Sequence, residues 1–178
     1  LLAPNAGLMT GPGTNTYLLG KKEIIVLDPG PAIDTHIRAI QRAAGAPIRW
    51  VLVTHTHADH SPAATLLARE TGATLVGQPP PAGPNQDQTF SPQQVLKDQE
   101  YLKTSELTLQ AIHTPGHASN HLCYLHQELR WLFTGDHLMS GSTVVINPPD
   151  GNMKHYLESL ERLKEFNLEK ILPGHGEV

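Results

Sequence analysis

Apolar residues come along this chain in short runs, each closed by a turn former and a polar residue. Ile48 to Val53, with Trp50-Val51-Leu52-Val53 at its centre, reads as a buried strand, as does Glu23 to Leu27 ahead of Asp28-Pro29-Gly30. Thr14 to Leu19 precedes the second of these, with Lys21-Lys22 as a hairpin turn, and Ala73 to Val76 follows as a short strand. In the second half, Glu100 to Lys103 and Leu107 to His113 pair around Thr104-Ser105-Glu106. His121 to His126 and Leu129 to Phe133 form a hairpin around Gln127-Glu128, and Glu169 to Leu172 is the last strand. Three stretches carry the helical period instead. Asp34 caps a helix over Thr35 to Ala44, with Ile33, Ile37, Ile40 and Ala44 on one face and Gly45 as its stop. Ser61 and Pro62 open a helix that ends at Thr71 before Gly72. Asn152 caps a helix over Met153 to Phe166, with Tyr156, Leu157, Leu160, Leu163 and Leu168 in register. Gly77 to Gln94 holds Pro79, Pro80, Pro81, Pro84 and Pro92 and reads as a long loop.

The chemistry collects at strand ends. Thr54-His55-Thr56-His57-Ala58-Asp59-His60 lies between the strand ending at Val53 and the helix starting at Pro62. Neutral imidazole and carboxylate are ligands for Zn²⁺, Fe or Mn. In an extended loop His55 and His57 point the same way, while Asp59 and His60 break that alternation as the helix begins. One loop can therefore serve two metal ions. His117 in Thr114-Pro115-Gly116-His117, Asp136 in Thr134-Gly135-Asp136 and His175 in Pro173-Gly174-His175-Gly176 repeat the grammar of strand, turn residue, ligand-type residue. Four strand ends are expected to converge on one rim.

This ordered set resembles the metallo-β-lactamase superfamily over nearly the whole chain. The resemblance implies an α/β fold, an αβ/βα four-layer sandwich with two mixed sheets packed between helices and metals at one edge, as a single domain over residues 1–178. It implies that His55, His57 and His117 hold a first metal and Asp59, His60 and His175 a second, with Asp136 bridging. Two divalent ions follow as cofactors, Zn²⁺ first, with Mn²⁺ or Fe also suited to the ligands. The implied reaction is hydrolysis by a metal-bridging hydroxide, with Asp59 and Asp136 as the catalytic carboxylates that steer it. Thr114 to His121, Phe133 to His137 and Ser142 to Ile146 look most like the lactamase-beta-like-2 subgroup, which points to single-stranded RNA or another phosphodiester as substrate. A glyoxalase-II-like thioesterase, side activity on β-lactams and a catalytically silent binding scaffold are the alternatives.

Composition narrows this further. At 178 residues, 39% hydrophobic and 17% charged, the chain is long enough for one globular domain. A net charge of −4 gives no overall basic footprint for nucleic acid, although a metal pair supplies local positive charge. The single Cys123 excludes an intrachain disulfide and reads as a buried thiol, compatible with a reducing compartment. With no long apolar run and no visible signal peptide, the expectation is a cytoplasmic protein, or a mitochondrial matrix one in a eukaryote. The expected partners are a small-molecule or nucleic-acid substrate, no membrane, no obligate protein partner, and a homodimer as one option. The chain starts at Leu1 rather than Met and ends three residues after His175, so it reads as a compact member or a fragment truncated at both ends. Asp28 is expected to orient the metal loop by hydrogen bonding, and His121 to be hydrogen-bonded in the structure. His137 neighbours the bridging Asp, His36 and His126 read as solvated, and His155 lies off its helix stripe, able to face the cleft.

Overall fold

A computed structural model describes residues 1–178. Its elements run β1 (Tyr17–Leu19), β2 (Ile24–Leu27), α1 (Asp34–Ala44), β3 (Ile48–Leu52), α2 (Pro62–Thr71), β4 (Thr74–Gly77) and β5 (Gln94–Val95) in the first half. The second half runs β6 (Tyr101–Lys103), β7 (Thr108–His113), β8 (Leu122–His126), β9 (Trp131–Gly135), α3 (Met153–Leu163) and β10 (Lys170–Pro173). Each half builds a five-stranded sheet, ordered β1-β2-β3-β4-β5 and β10-β9-β8-β7-β6. The first sheet is parallel apart from the β1–β2 hairpin, and the second is antiparallel apart from the β9–β10 pair. Parallel neighbours need a crossover, which α1, α2 and the Pro-rich loop supply in the first half and α3 in the second.

Strand alternation sorts the core into layers. Ile24 and Val26 turn toward α1 and α2, where they meet Ile37, Ile40 and Leu67. Ile25 and Leu27 turn the other way and pack with Leu109, Ala111, Tyr124 and Phe133 of the second sheet. Ile112, Cys123 and Leu132 line the outer face of that sheet beneath Leu163 of α3. Helices, sheet, sheet and helix give the expected four-layer αβ/βα sandwich. β2 is buried along its whole length, which is why it is apolar at every position rather than at every second one. Tyr124 crosses between the sheets and donates its hydroxyl to Val53 O at 2.9 Å, and Tyr17 donates to Pro173 O at 2.7 Å. On the outside Glu106 Oε2 accepts the backbone N–H groups of Lys21, Lys22 and Glu23, tying the first sheet's hairpin turn to the second sheet.

Several expectations need correction. Thr14 to Thr16 leave the strand because Thr14 turns to bridge His175. β5 went unforeseen, since a two-residue edge strand has no period to read. α1 begins at Asp34 itself, and neither Asp34 nor Ser61 caps by side chain; Ser61 Oγ donates instead to Asp87 at 2.8 Å. Asn152 does cap, accepting His155 N–H at 3.1 Å, but α3 stops at Leu163. Leu157 is exposed, because α3 docks by polar bonds: Ser159 Oγ to Pro115 O at 2.8 Å and Arg162 to both oxygens of Asp98 at 2.8 Å. β9 starts at Trp131, two residues late, after a turn in which Arg130 takes φ +56°. His36 and His126 are buried rather than solvated. His36 Nε2–H donates to Thr16 Oγ1 at 2.9 Å, and His126 Nδ1 accepts Leu129 N–H beside Glu128. A helical wheel scores imidazole as polar, but here each ring packs over a strand end with a polar partner supplied.

Candidate metal centre

The support for the site comes from Asp28 at the end of β2. Its carboxylate accepts three bonds: Thr54 N–H at 2.7 Å, Thr54 Oγ1–H at 2.8 Å and His60 Nδ1–H at 3.0 Å. Thr54 Oγ1, having given its proton to Asp28, accepts from His55 Nδ1–H at 3.0 Å. These bonds occupy Nδ1 of both His55 and His60 and leave Nε2 of each as the nitrogen open to a cation, aimed past the strand end. Asp28 thus orients the loop without being among the grouped ligand atoms, as expected of it.

One group of ligand atoms joins His55, His57 and His117. His57 Nδ1 lies 3.0 Å from His55 Nε2 and 2.9 Å from His117 Nε2. His117 Nδ1–H donates to Val145 O at 2.6 Å, which turns its Nε2 lone pair inward. Three nitrogens this close suit one cation, since metal–nitrogen bonds of about 2.0–2.1 Å at tetrahedral angles put ligand nitrogens about 3.3 Å apart. Burial, then the neighbouring imidazoles, push the His55 pKa well below its ordinary value and that of His57 down to about 4. His55 and His57 are therefore neutral and able to donate lone pairs at physiological pH.

A second group joins Asp59, His60, Asp136 and His175. His60 Nε2 lies 3.3 Å from Asp136 Oδ1 and 3.3 Å from His175 Nε2, and His175 Nε2 lies 3.1 Å from Asp59 Oδ2. His175 Nδ1–H donates to Gly13 O at 3.0 Å, so its Nε2 also faces inward. Asp136 turns Oδ1 toward this group and Oδ2 toward His117 Nε2, 3.6 Å away, which is the geometry of a residue shared between two cations. Its Oδ1 is buried and accepts no hydrogen bond. Burial alone would push His60 down, yet Asp136, Asp59 and Asp28 hold its pKa well above the ordinary value. His175 likewise rises to about 10 against burial, through Asp136 and Asp59. Burial would lift Asp136, but His60 and His175 hold its carboxylate well below the usual range. Carboxylates that draw protons onto buried imidazoles make a locus that favours a cation. The donors, borderline nitrogen with hard oxygen, fit a pair of divalent metals: His55, His57 and His117 for one, Asp59, His60 and His175 for the other, Asp136 between.

Close approach at this point requires glycine. A Cβ on Gly174 would lie 2.6 Å from Asp136 Oδ1, and one on Gly135, at φ +47°, would lie 2.5 Å from Thr54 Oγ1. His121 is structural, as expected: Nε2 accepts Asp136 N–H at 3.2 Å and Nδ1–H donates to Thr114 Oγ1 at 2.9 Å. His137 is fully buried against the Tyr156 ring with neither nitrogen hydrogen-bonded, and His155 is exposed on α3.

A cleft of about 560 Å³ opens over the two groups and exposes His57, Asp59, His117 and Asp136. One wall is Ala82 to Gln86 of the Pro-rich loop; the other runs from Val145 to Asp150. Met9 and Met139 also line it. The Pro-rich loop therefore borders the cleft. The N-terminal loop contributes through Met9 and through Gly13 O. Gln86, Asp150 and the carbonyls of Val145 and Gly13 were not foreseen, because no local pattern marks a residue whose partner is distant in the chain.

A family model described as Metallo-beta-lactamase superfamily matches residues 9–175. The chain belongs to this superfamily. Over its whole length it is 32% identical to the lactamase-like protein aptB of Emericella nidulans, of which it covers 56%. It is 30% identical to the beta-lactamase-like protein 2 homolog of Caenorhabditis elegans, covering 61% of that protein. It is 29% identical to the atrochrysone carboxyl ACP thioesterase dmxR1 of a Cryptosporiopsis species, covering 53%. The chain thus spans about half the length of the curated relatives it matches. Among solved structures, the BLEG-1 B3 metallo-beta-lactamase superposes with a TM-score of 0.80 at 23% identity, over 95% of this chain and 90% of that one. TTHA1623, in a di-iron-bound form, gives 0.76 at 25% identity, over 97% and 90%. As a metallo-beta-lactamase superfamily member the chain carries two His/Asp groups consistent with a binuclear metal site. No helix is long and apolar enough to cross a membrane.

Proposed function

We propose that this chain is the metal-holding part of a hydrolase whose substrate is an acyl compound, an acyl thioester first. The observation that carries the reading is the lining of the cleft. Apart from Asp150 its walls are apolar or uncharged, with Met9, Pro84, Met139, Val145, Pro148 and Pro149 prominent. The charged groups in it, Asp59, Asp136 and Asp150, are all acidic, and none of the chain's 13 Lys and Arg residues lines it. A nucleic-acid strand carries a charge at every step and is held by cationic side chains along its path. An acyl thioester asks for one polarised carbonyl and an apolar channel for its tail. The thioesterase named among the relatives supports the same class.

Two divalent ions in these positions would supply Lewis acidity, lowering the pKa of a shared water toward neutrality and polarising the attacked oxygen. The residues do the rest. His60 and His175 keep Asp59 a carboxylate although burial opposes it. Its Oδ2 faces His175, which leaves Oδ1 as an acceptor able to hold the attacking water by one proton. Met9, Val145 and the prolines keep bulk water from the acyl tail. No serine or cysteine nucleophile is required.

A panel on metal-reconstituted protein tests this: an acyl-pantetheine thioester, a nitrocefin-type lactam, an activated phosphodiester and single-stranded RNA. Thioester hydrolysis, read as released thiol, is expected to have the highest kcat/KM. Faster cleavage of RNA or the phosphodiester would overturn the acyl reading in favour of a lactamase-beta-like-2 nuclease. Inactivity toward all four, with two metals bound, would favour the binding scaffold.

A further inference from the structure

A closed ring of hydrogen bonds frames the first metal group without using any of its ligands. Thr56, between His55 and His57, donates its hydroxyl to Gln86 Oε1 at 2.5 Å and accepts from Asn120 Nδ2 at 2.8 Å. Gln86 Nε2 donates to Asp150 Oδ2 at 3.1 Å. The same oxygen accepts Ser119 N–H at 3.2 Å, and Ser119 adjoins Asn120, which closes the ring. Its four segments are the His55–His57 loop, the Pro-rich loop, the loop after His117 and the loop after Asp136. Thr56, Gln86 and Asn120 are all buried. Gln86 and Asp150 both line the cleft, so their bond ties together the two loops that border it. Backbone pairing reinforces the ring: His57 and Gln86 form an isolated antiparallel bridge, and Asp87 N–H donates to Thr56 O at 2.7 Å.

We propose that Gln86 is a positioning residue for the first metal group: through Thr56 and Asp150 it holds His57 and His117 where one cation can take both together with His55. The inference rests on the metal reading above. Side chains alternate along an extended loop, so fixing Thr56 on one face fixes the peptide planes from which His55 and His57 project on the other. Asp150 does the same for His117 through Ser119, two residues on. The chemistry requires an amide at position 86. Glutamine offers an acceptor to the Thr56 hydroxyl and a donor to the Asp150 carboxylate; glutamate lacks the donor and lysine the acceptor. The ligands of the second group lean on Asp28 and Gly13 O and share no bond with the ring, so the effect is confined to one of the two sites.

The test is a competitive titration of Zn²⁺ into apo protein, with the absorption spectrum of the Co²⁺-loaded form as a second readout. Gln86→Ala is expected to weaken one zinc equivalent by about 10–100-fold, the range for groups that orient metal ligands, and to leave the other unchanged. The cobalt bands of the weakened site shift. Asp150→Asn keeps wild-type affinity, because its Oδ1 still accepts from both Gln86 and Ser119. Thr56→Val reproduces the loss and carries the test if Gln86→Ala does not fold. A folded Gln86→Ala, or in its place Thr56→Val, with two wild-type equivalents and unchanged cobalt bands would overturn the inference, as would equal weakening of both sites. Wild-type protein that binds no zinc would instead overturn the metal reading beneath it.

Discussion

At the scale of single residues, the site depends on side chains whose partners leave them no choice of orientation. Asp136 is the clearest case, facing both groups with one oxygen each. Asp136→Ala is expected to cost one or both metals and nearly all hydrolysis; elemental analysis showing two metals per chain in the variant would refute the shared role. His137 makes a different prediction. Burial, then His117, lowers its pKa to about 4 from the ordinary 6.5. The unfolded chain therefore binds the proton that the folded chain refuses between those two values. The contribution of His137 to stability is full above pH 6.5 and is lost as pH falls toward 4, by about 2 kcal/mol at pH 5. His137→Phe should shrink the gap in Tm between pH 7 and pH 5, and an unchanged gap would assign the acid sensitivity elsewhere. Cys123 is buried between strands with its thiol pushed up to about 12. It should ignore a thiol reagent in the native protein and react fully only after unfolding.

At the scale of elements, each ligand depends on a close contact between neighbouring segments. α3 reaches the His117 loop only because Gly116 has no side chain: at φ +150°, an added Cβ would lie 2.4 Å from Tyr156 Cα. Gly116→Ala should displace α3 or the loop, cost about 1–3 kcal/mol by urea denaturation, and weaken metal binding through His117. A variant as stable as wild type, with both metals, would show that the contact is slack. The first sheet behaves differently. Apart from the edge strands β1 and β5, its strands and helices follow directly from apolar runs and period, because α1 and α2 bury one clean face against Val26, Val51 and Ile24. α3 resists such reading, since Leu157 and Met153 stay exposed while Ser159 is buried.

At the scale of the whole molecule, the two sheets meet along a core of Ile25, Leu27, Leu52, Tyr124 and Phe133, and the metal groups sit where their strand ends meet. Metal removal should therefore loosen the junction of the halves as well as the site. Folded protein binds the cations and unfolded protein does not hold them together, so chelation should lower Tm and added Zn²⁺ should raise it with concentration. A Tm indifferent to both would argue that the halves are joined by the apolar core alone. The net charge of −4 and the acidic cleft predict that any RNA cleavage in this cleft is weak; efficient cleavage that falls steeply with salt would point to a cationic path outside it.

Strand, turn and ligand order were legible in the residues because they are local: an apolar run buries itself, a glycine permits the turn, and the imidazole or carboxylate after it has nowhere to go but the strand end. That reading already named His55, His57, Asp59, His60, His117, Asp136 and His175. The tautomer each histidine adopts, the burial of His36 and His126, and the ring through Gln86 and Asp150 belong to the tertiary structure. Each depends on hydrogen-bond partners tens of residues away, and only packing one sheet against the other brings those partners within reach.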